Sequence, residues 1–257
     1  MNVKVQFFGV AGYKIVTEKG VSIVIDPFMN KNPYCDLTVD ALGWVDILLL
    51  THNAYDHFGD APEIIRKYRP ITVCALDVQH NLTKYHGIDA DLIRPTIWGM
   101  ELEIAGIGIR PVESHHWSFA KKDDGSLLSG PAMGFFVDIG KGTKFYHPGD
   151  TALFSDMKLL GEMYKPTIGF MHISLPSEEG VGMPHPECYK TGELTPREGF
   201  MASEWLGLKT IIASHYVNHE CGDVKELLEI ARNSKDAGRY APEVIVMKAG
   251  EEINLFL

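Results

Sequence analysis

Read by the spacing of its apolar positions, the first third of the chain is a series of short strands. Val3 to Phe8, Lys14 to Thr17 and Ser22 to Ile25 are strand-like runs separated by Gly9, Gly12 and Gly20, and Asp26-Pro27 stops the third. After a polar loop around Asn30 to Asp36, Val45-Asp46-Ile47-Leu48-Leu49-Leu50 is nearly all apolar, the pattern of a strand covered on both faces. It runs directly into Thr51-His52. Asp60 to Tyr68 puts Pro62 near a helix start with apolar residues at helical spacing, so a helix follows. Ile71 to Ala75 reads as strand and Asp77 to Tyr85 as helix. Further strands are predicted at Glu101 to Ile104, Gly108 to Val112, Gly134 to Ile139 and Lys144 to Tyr146. Helices at Thr151 to Tyr164, Pro196 to Leu206 and Val224 to Ser234 interleave with strands at Ile168 to His172, Thr210 to Ser214 and Val244 to Met247.

Strand meanders with helices inserted in each half predict two sheets packed face to face and clothed by helices, a four-layer αβ/βα sandwich of the α/β class. With 257 residues and no visible linker, residues 1–257 are expected to form a single domain. One stretch breaks the regularity. Pro176 to Leu194 carries Pro, Gly and Glu without periodicity and is too long for a routine connector, so it is either a loop over the active site or a surface excursion.

Composition narrows the partners. The 34 Asp and Glu outnumber the 24 Lys and Arg, and a formal charge of −10 with no local basic patch argues against nucleic acid. Cys35, Cys74, Cys188 and Cys221 are widely spaced, which suits a reduced cytoplasmic chain better than a disulfide scaffold. The N-terminal MNVKVQFFGV alternates like a strand and lacks the features of a signal peptide, and no apolar run approaches the about 20 residues that span a membrane. A cytoplasmic protein is therefore expected, with no nucleic-acid or membrane partner and with homo-oligomerisation left open.

The sharpest local feature is Thr51-His52-Asn53-Ala54-Tyr55-Asp56-His57, where an apolar strand ends and a helix begins. Two imidazoles and a carboxylate within six residues offer three metal ligands, and a strand-to-helix turn can aim them at one volume. Three other predicted strands run into ligand-type residues in the same way: Ile109 to Val112 into His115-His116, Lys144 to Tyr146 into His147-Pro148-Gly149-Asp150, and Ile211 to Ser214 into His215. One such histidine is ordinarily a hydrogen-bonded loop residue; the repetition points to a shared metal site. The chain has no Gly-rich phosphate loop and no G-x-S-x-G nucleophile elbow.

On these residues the chain resembles the metallo-β-lactamase superfamily, nearest to the small metal-dependent hydrolases related to ascorbate-6-phosphate lactonases. The family motif H-x-H-x-D-H is matched at His52, Asp56 and His57. Phe8-Gly9, Ile25-Asp26-Pro27-Phe28, the HPGDT of 147–151 with LFSDM after it, and the SHY of 214–216 follow in family order. The resemblance implies a metallo-β-lactamase fold and a site for one or two ions, zinc or alternatively manganese or iron. It places His52 and His116, or its neighbour His115, at a first metal position. It places Asp56, His57 and His215 at a second, with Asp150 bridging both. His147 is read as a donor that fixes a ligand's orientation, while His172, His185 and His219 receive no ligand role.

The departure is Ala54, where the family carries a first-position histidine. The implied activity is hydrolysis of a small substrate by a metal-activated water, with Asp56 or Asp150 as the catalytic carboxylate and a lactone or ester favoured. A phosphodiesterase, or a non-catalytic sensor that has lost its first metal position, are the alternatives. Oxygen or nitric oxide reduction at di-iron would require a flavin-binding partner domain for which the chain is too short.

Overall fold

The computed structural model describes residues 2–174 and 192–257. Its strands form two seven-stranded sheets. The first has the order β14-β1-β2-β3-β4-β5-β6, from β1 (Asn2–Gly9), β2 (Gly12–Val16), β3 (Ser22–Ile25), β4 (Ile47–Leu49), β5 (Ile71–Cys74), β6 (Ile93–Pro95) and β14 (Glu252–Phe256). The second has the order β13-β12-β11-β10-β9-β8-β7, from β7 (Leu102–Ile104), β8 (Ile107–Lys121), β9 (Leu127–Gly140), β10 (Thr143–His147), β11 (Ile168–His172), β12 (Thr210–Ser214) and β13 (Glu243–Ile245).

The apolar runs divide between two cores according to strand pleat. Ile47 and Leu49 join Ile23, Ile25 and Val73 in the core between the sheets, where they meet Phe135, Val137, Phe145 and Phe170 of the second sheet. Leu48 and Leu50 join Val24 and Cys74 on the opposite face, against Ile64, Ile65 and Val78. Successive side chains of a strand point to opposite faces, so an all-apolar β4 is what a strand sandwiched between a sheet and a helical layer requires. The outer layer comprises α1 (Tyr55–Phe58), α2 (Ala61–Tyr68) and α3 (Leu76–His80), which continues as a π-helical turn over Asn81–Tyr85. On the second sheet lie α4 (Met157–Tyr164), α5 (Pro196–Leu206) and α6 (Gly222–Asp236); Met157, Phe200, Leu206, Val224 and Leu227 belong to the apolar cluster that is continuous through that sheet. This is the αβ/βα sandwich expected.

Two expectations are corrected. The helix expected from Thr151 begins only at Met157, because residues 151–152 are engaged elsewhere: the Thr151 hydroxyl accepts from the His115 amide at 2.9 Å, and the Ala152 amide donates to the His115 carbonyl at 3.2 Å. Nor do His115 and His116 follow a strand end. They lie inside β8, where Glu113 pairs with Met133 and Trp117 with Pro131, so that Ser114, His115 and His116 stand opposite a single residue, Ala132. Such a bulge re-aims side chains in mid-strand. Most of the Pro176 to Leu194 segment, with His185 and Cys188, lies outside the described residues.

Candidate metal centre

β3, β4 and β5 pair in parallel, as do β10, β11 and β12, so their C-terminal ends open on common edges, where ligands of α/β sheets gather. Asp26 follows β3, His52 follows β4, Asp150 follows β10, His172 ends β11 and His215 follows β12. The turns are tight. Gly149 has φ +62°, and a Cβ there would come within 2.6 Å of the Met133 carbonyl oxygen and 2.9 Å of the Thr51 Cβ, so only glycine suits the HPGD turn. Asp26 at φ 45° and His215 at φ 63° hold left-handed backbone without being glycine, a strained conformation that clusters at functional sites.

Asp150 stands at the centre, 3% exposed. Its Oδ1 lies 3.1 Å from His57 Nε2, 3.4 Å from His215 Nε2 and 3.3 Å from His172 Nδ1. Its Oδ2 lies 3.8 Å from His52 Nε2 and 3.8 Å from His116 Nε2. One carboxylate thus faces two groups of imidazoles, one on each oxygen. Asp56, in the first turn of α1, has a carboxylate oxygen within 4.8 Å of donors of His57 and His215.

The other ring nitrogen of four histidines is committed to the protein. His57 Nδ1 donates to Asp26 Oδ2 at 2.7 Å, His116 Nδ1 to the Gly192 carbonyl at 2.9 Å, and His215 Nδ1 to the Ser174 carbonyl at 3.3 Å. His52 Nδ1 donates to the Thr51 hydroxyl at 3.0 Å, and that hydroxyl donates to Asp26 Oδ2 at 2.6 Å. Each bond keeps a proton on Nδ1 and turns Nε2 toward Asp150, the arrangement in which a ligating histidine is normally held. Asp26, fully buried, also accepts from the Thr51 amide at 2.9 Å, so one carboxylate fastens the whole Thr51 to His57 turn.

Chemistry of the donor set fits a metal ion. Among the described residues, His52 Nε2 and both ring nitrogens of His172 are buried with no hydrogen-bond partner, and His57 Nε2, His215 Nε2 and Asp150 Oδ1 are buried with only one another to face. Unsatisfied buried polar atoms are rare in folded proteins, and so many facing one volume call for a ligand. Without an ion the charges interact strongly. Burial pulls His57 down, but Asp150 and Asp26 outweigh it and leave the ring well above its ordinary value. Burial likewise opposes protonation of His215, yet Asp150 raises it to about 9. Burial, and then the neighbouring imidazoles, hold His52 and His172 well below the ordinary range. Burial would raise Asp150, but His57, His215 and His172 bring it well below the usual carboxylate range.

Of the residues singled out in the sequence, His52, Asp56, His57, His116, Asp150 and His215 come together. His115 turns away, with Nε2 2.7 Å from Glu113 and its ring stacked on Phe154 at 4.3 Å. His147 touches none of the cluster's donors: its Nε2 donates to the Ala11 carbonyl at 2.8 Å and its Nδ1 accepts from the Gly149 amide at 3.1 Å, which fixes the turn that carries Asp150. His219 lies 3.8 Å from Glu220, away from the cluster. Ala54 is the residue before α1. Asp26, Thr51 and His172 were not singled out as site residues, although Asp26 and His172 stand at apolar strand ends as the others do.

Comparison with known proteins agrees with this geometry. The model of the beta-lactamase superfamily domain matches residues 22–216. A UPF0173 metal-dependent hydrolase of Rubrobacter xylanophilus is 30% identical over 253 residues, 97% of this chain and 96% of its own. One from Methanosphaera stadtmanae is 30% identical over 234 residues, 91% of this chain and 92% of its own. Igni18, a metallo hydrolase from Ignicoccus hospitalis, shares the fold over 100% of both chains with a TM-score of 0.76 at 24% identity. The chain therefore belongs to the metallo-β-lactamase superfamily, among its UPF0173 metal-dependent hydrolases.

Proposed function

We propose that this protein hydrolyses a lactone or carboxylic ester of a small molecule at a metal centre built around Asp150. The observation that carries the reading is the pair of histidine groups on the two Asp150 oxygens, with buried ring nitrogens that have no partner among the described residues. His52, His116 and Asp150 Oδ2 would hold one ion; Asp56, His57, His215 and Asp150 Oδ1 would hold the other. Zinc suits imidazole and carboxylate donors, as manganese and iron do in fuller coordination. Such an ion, when bound, lowers the pKa of a water to about 7 and polarises the carbonyl oxygen under attack.

The chain's own residues supply the remainder. Asp26 and Thr51 keep the His52 and His57 rings from turning, so the site is organised before substrate arrives. Asp56 is only partly buried, whereas His52 and His57 are fully so, and with one carboxylate oxygen toward the ion its second oxygen would orient the attacking water and take up its proton. Asp150 keeps the two groups of donors in one register and acts with Asp56 as the second catalytic carboxylate. The charge of −10 argues against a nucleic-acid substrate, and no described helix is long and apolar enough to cross a membrane.

The test is a panel of lactones, carboxylic esters and phosphodiesters offered to protein reconstituted with zinc or manganese. Turnover of lactones or esters, abolished by chelator and by Asp56→Asn, is the expected result. Turnover confined to phosphodiesters would transfer the site to phosphoryl chemistry, and metal-loaded protein inert toward the whole panel would contradict the reading.

A further inference from the structure

His147 and His172 are both fully buried, at the ends of neighbouring strands, and they are treated very differently by their surroundings. His147 has a backbone partner on each ring nitrogen. His172 has none on either among the described residues, and its Nδ1 faces the Asp150 oxygen that also faces His57 and His215. Its ring stacks on His215 with centroids 4.5 Å apart and planes 22° apart, which leaves it little freedom to turn elsewhere. A histidine retained only for packing would be bonded as His147 is, because a buried imidazole with both nitrogens unsatisfied is strongly disfavoured. Asp150, His172 and His215 place one donor each within 4.8 Å of one another.

We infer that His172 is a further metal ligand of the Asp56/His57/His215 group, acting through Nδ1. The inference rests on the metal centre proposed above and extends it. The triads Asp56/His57/His215 and Asp150/His172/His215 share His215, so with His172 the Oδ1 side offers up to five protein donors, more than the three protein ligands and one water of a catalytic zinc. The opposite group, His52, His116 and Asp150 Oδ2, offers three, since Ala54 supplies none. The donor counts divide the labour. The five-donor group holds its ion in filled coordination, and the three-donor group is the one with room for water and substrate.

Cobalt(II) tests this because its visible absorption strengthens as coordination falls from five or six to four. Metal-free protein titrated with cobalt(II) is expected to take the first equivalent with weak absorption, as the five-donor group fills first. In His172→Ala that band should intensify. Affinity for the first equivalent, by chelator competition, should fall more than about 100-fold, beyond the 10–100-fold typical of losing an outer partner of a ligand. Affinity for the second equivalent should stay within about threefold. An unchanged spectrum with unchanged affinity in the variant would remove His172 from the ligands while leaving the centre itself in place. Should the variant fail to fold, X-ray absorption of wild-type protein carrying one equivalent decides: three imidazoles on the cobalt uphold the inference, and two overturn it. Wild-type protein that binds no cobalt would overturn the proposed centre as well.

Discussion

The two oxygens of Asp150 look onto unlike neighbourhoods. On the Oδ1 side, His57 and His215 are pulled toward protonation, and a third imidazole and Asp56 crowd the same space. On the Oδ2 side stand His52 and His116 alone, both lowered, chiefly by burial, and the motif position that would add a third nitrogen is Ala54. The difference teaches that the donors facing Asp150 are unevenly divided between its two oxygens. It makes the site asymmetric, with one crowded pole and one open pole.

The largest effect should come from the bridge. Asp150→Ala removes a donor from both poles, and elemental analysis after dialysis is expected to find metal reduced to a small fraction of an equivalent, with hydrolysis lost. A variant that keeps one tightly held ion would show that one pole does not need the bridge.

Next comes the buttress. Asp26→Asn replaces the carboxylate that holds His57 Nδ1 and the Thr51 hydroxyl, and metal affinity should fall about 10–100-fold, as for other partners that orient a ligand. Because the Oδ1 pole contains His57 directly, chelator competition should show the greater loss there.

How much of this was legible in the sequence follows from what each residue depends on. Ile47 to Leu50 running into Thr51-His52 disclosed the strand, its double covering and the first of the clustered imidazoles, since pleat and burial are local properties of a sequence. Pro196 to Leu206 was equally plain, with Thr195 and Glu198 forming the capping box that starts α5. The choice between His115 and His116 was not readable, because it is made by a bulge whose existence depends on how β8 pairs with β9. The place of His172 in the cluster was readable in principle: it ends the apolar strand Ile168–His172, as the other clustered residues follow apolar strands. A motif-based expectation passed over it because the motif has no place for it. Asp26 went unassigned for the complementary reason, as a buttress acts through His57 and leaves no spacing signature of its own.

Ala54→His offers a way to sharpen the asymmetry from the open side. A third nitrogen there should raise affinity at the Oδ2 pole and bring metal content nearer two per chain, with the Oδ1 pole hardly altered. If wild-type protein already holds two ions equally tightly, the open pole is not the weaker one.

Proton release separates the poles by another route. His57 and His215 are raised, His215 to about 9, so near pH 7.5 both rings carry protons that an incoming ion must displace, whereas His52 and His116 are already neutral. Filling the Oδ1 pole should release about two protons, filling the Oδ2 pole almost none, as read by calorimetry in buffers of different ionisation enthalpy. The same raised values fix the sign of metal-free stability. A raised histidine stabilises the fold fully below its unfolded pKa of about 6.5 and loses that contribution as pH rises through its folded value. Chelator-treated protein should therefore weaken between about pH 6.5 and pH 9, and denaturant midpoints that rise across that interval would contradict the assignment. The smallest effect is expected of His115→Ala, which removes an exposed stack on Phe154; a loss of about 0.5–1.5 kcal/mol with unchanged metal content would set it apart from its neighbour His116.

The most direct measurement of the central claim is anomalous scattering from crystals of metal-loaded protein. The account predicts two peaks sharing the Asp150 carboxylate, one among Asp56, His57, His172 and His215 and the other between His52 and His116, with the first the more fully occupied. A peak remote from Asp150, or a single ion held by His52 and His116 alone, would contradict it.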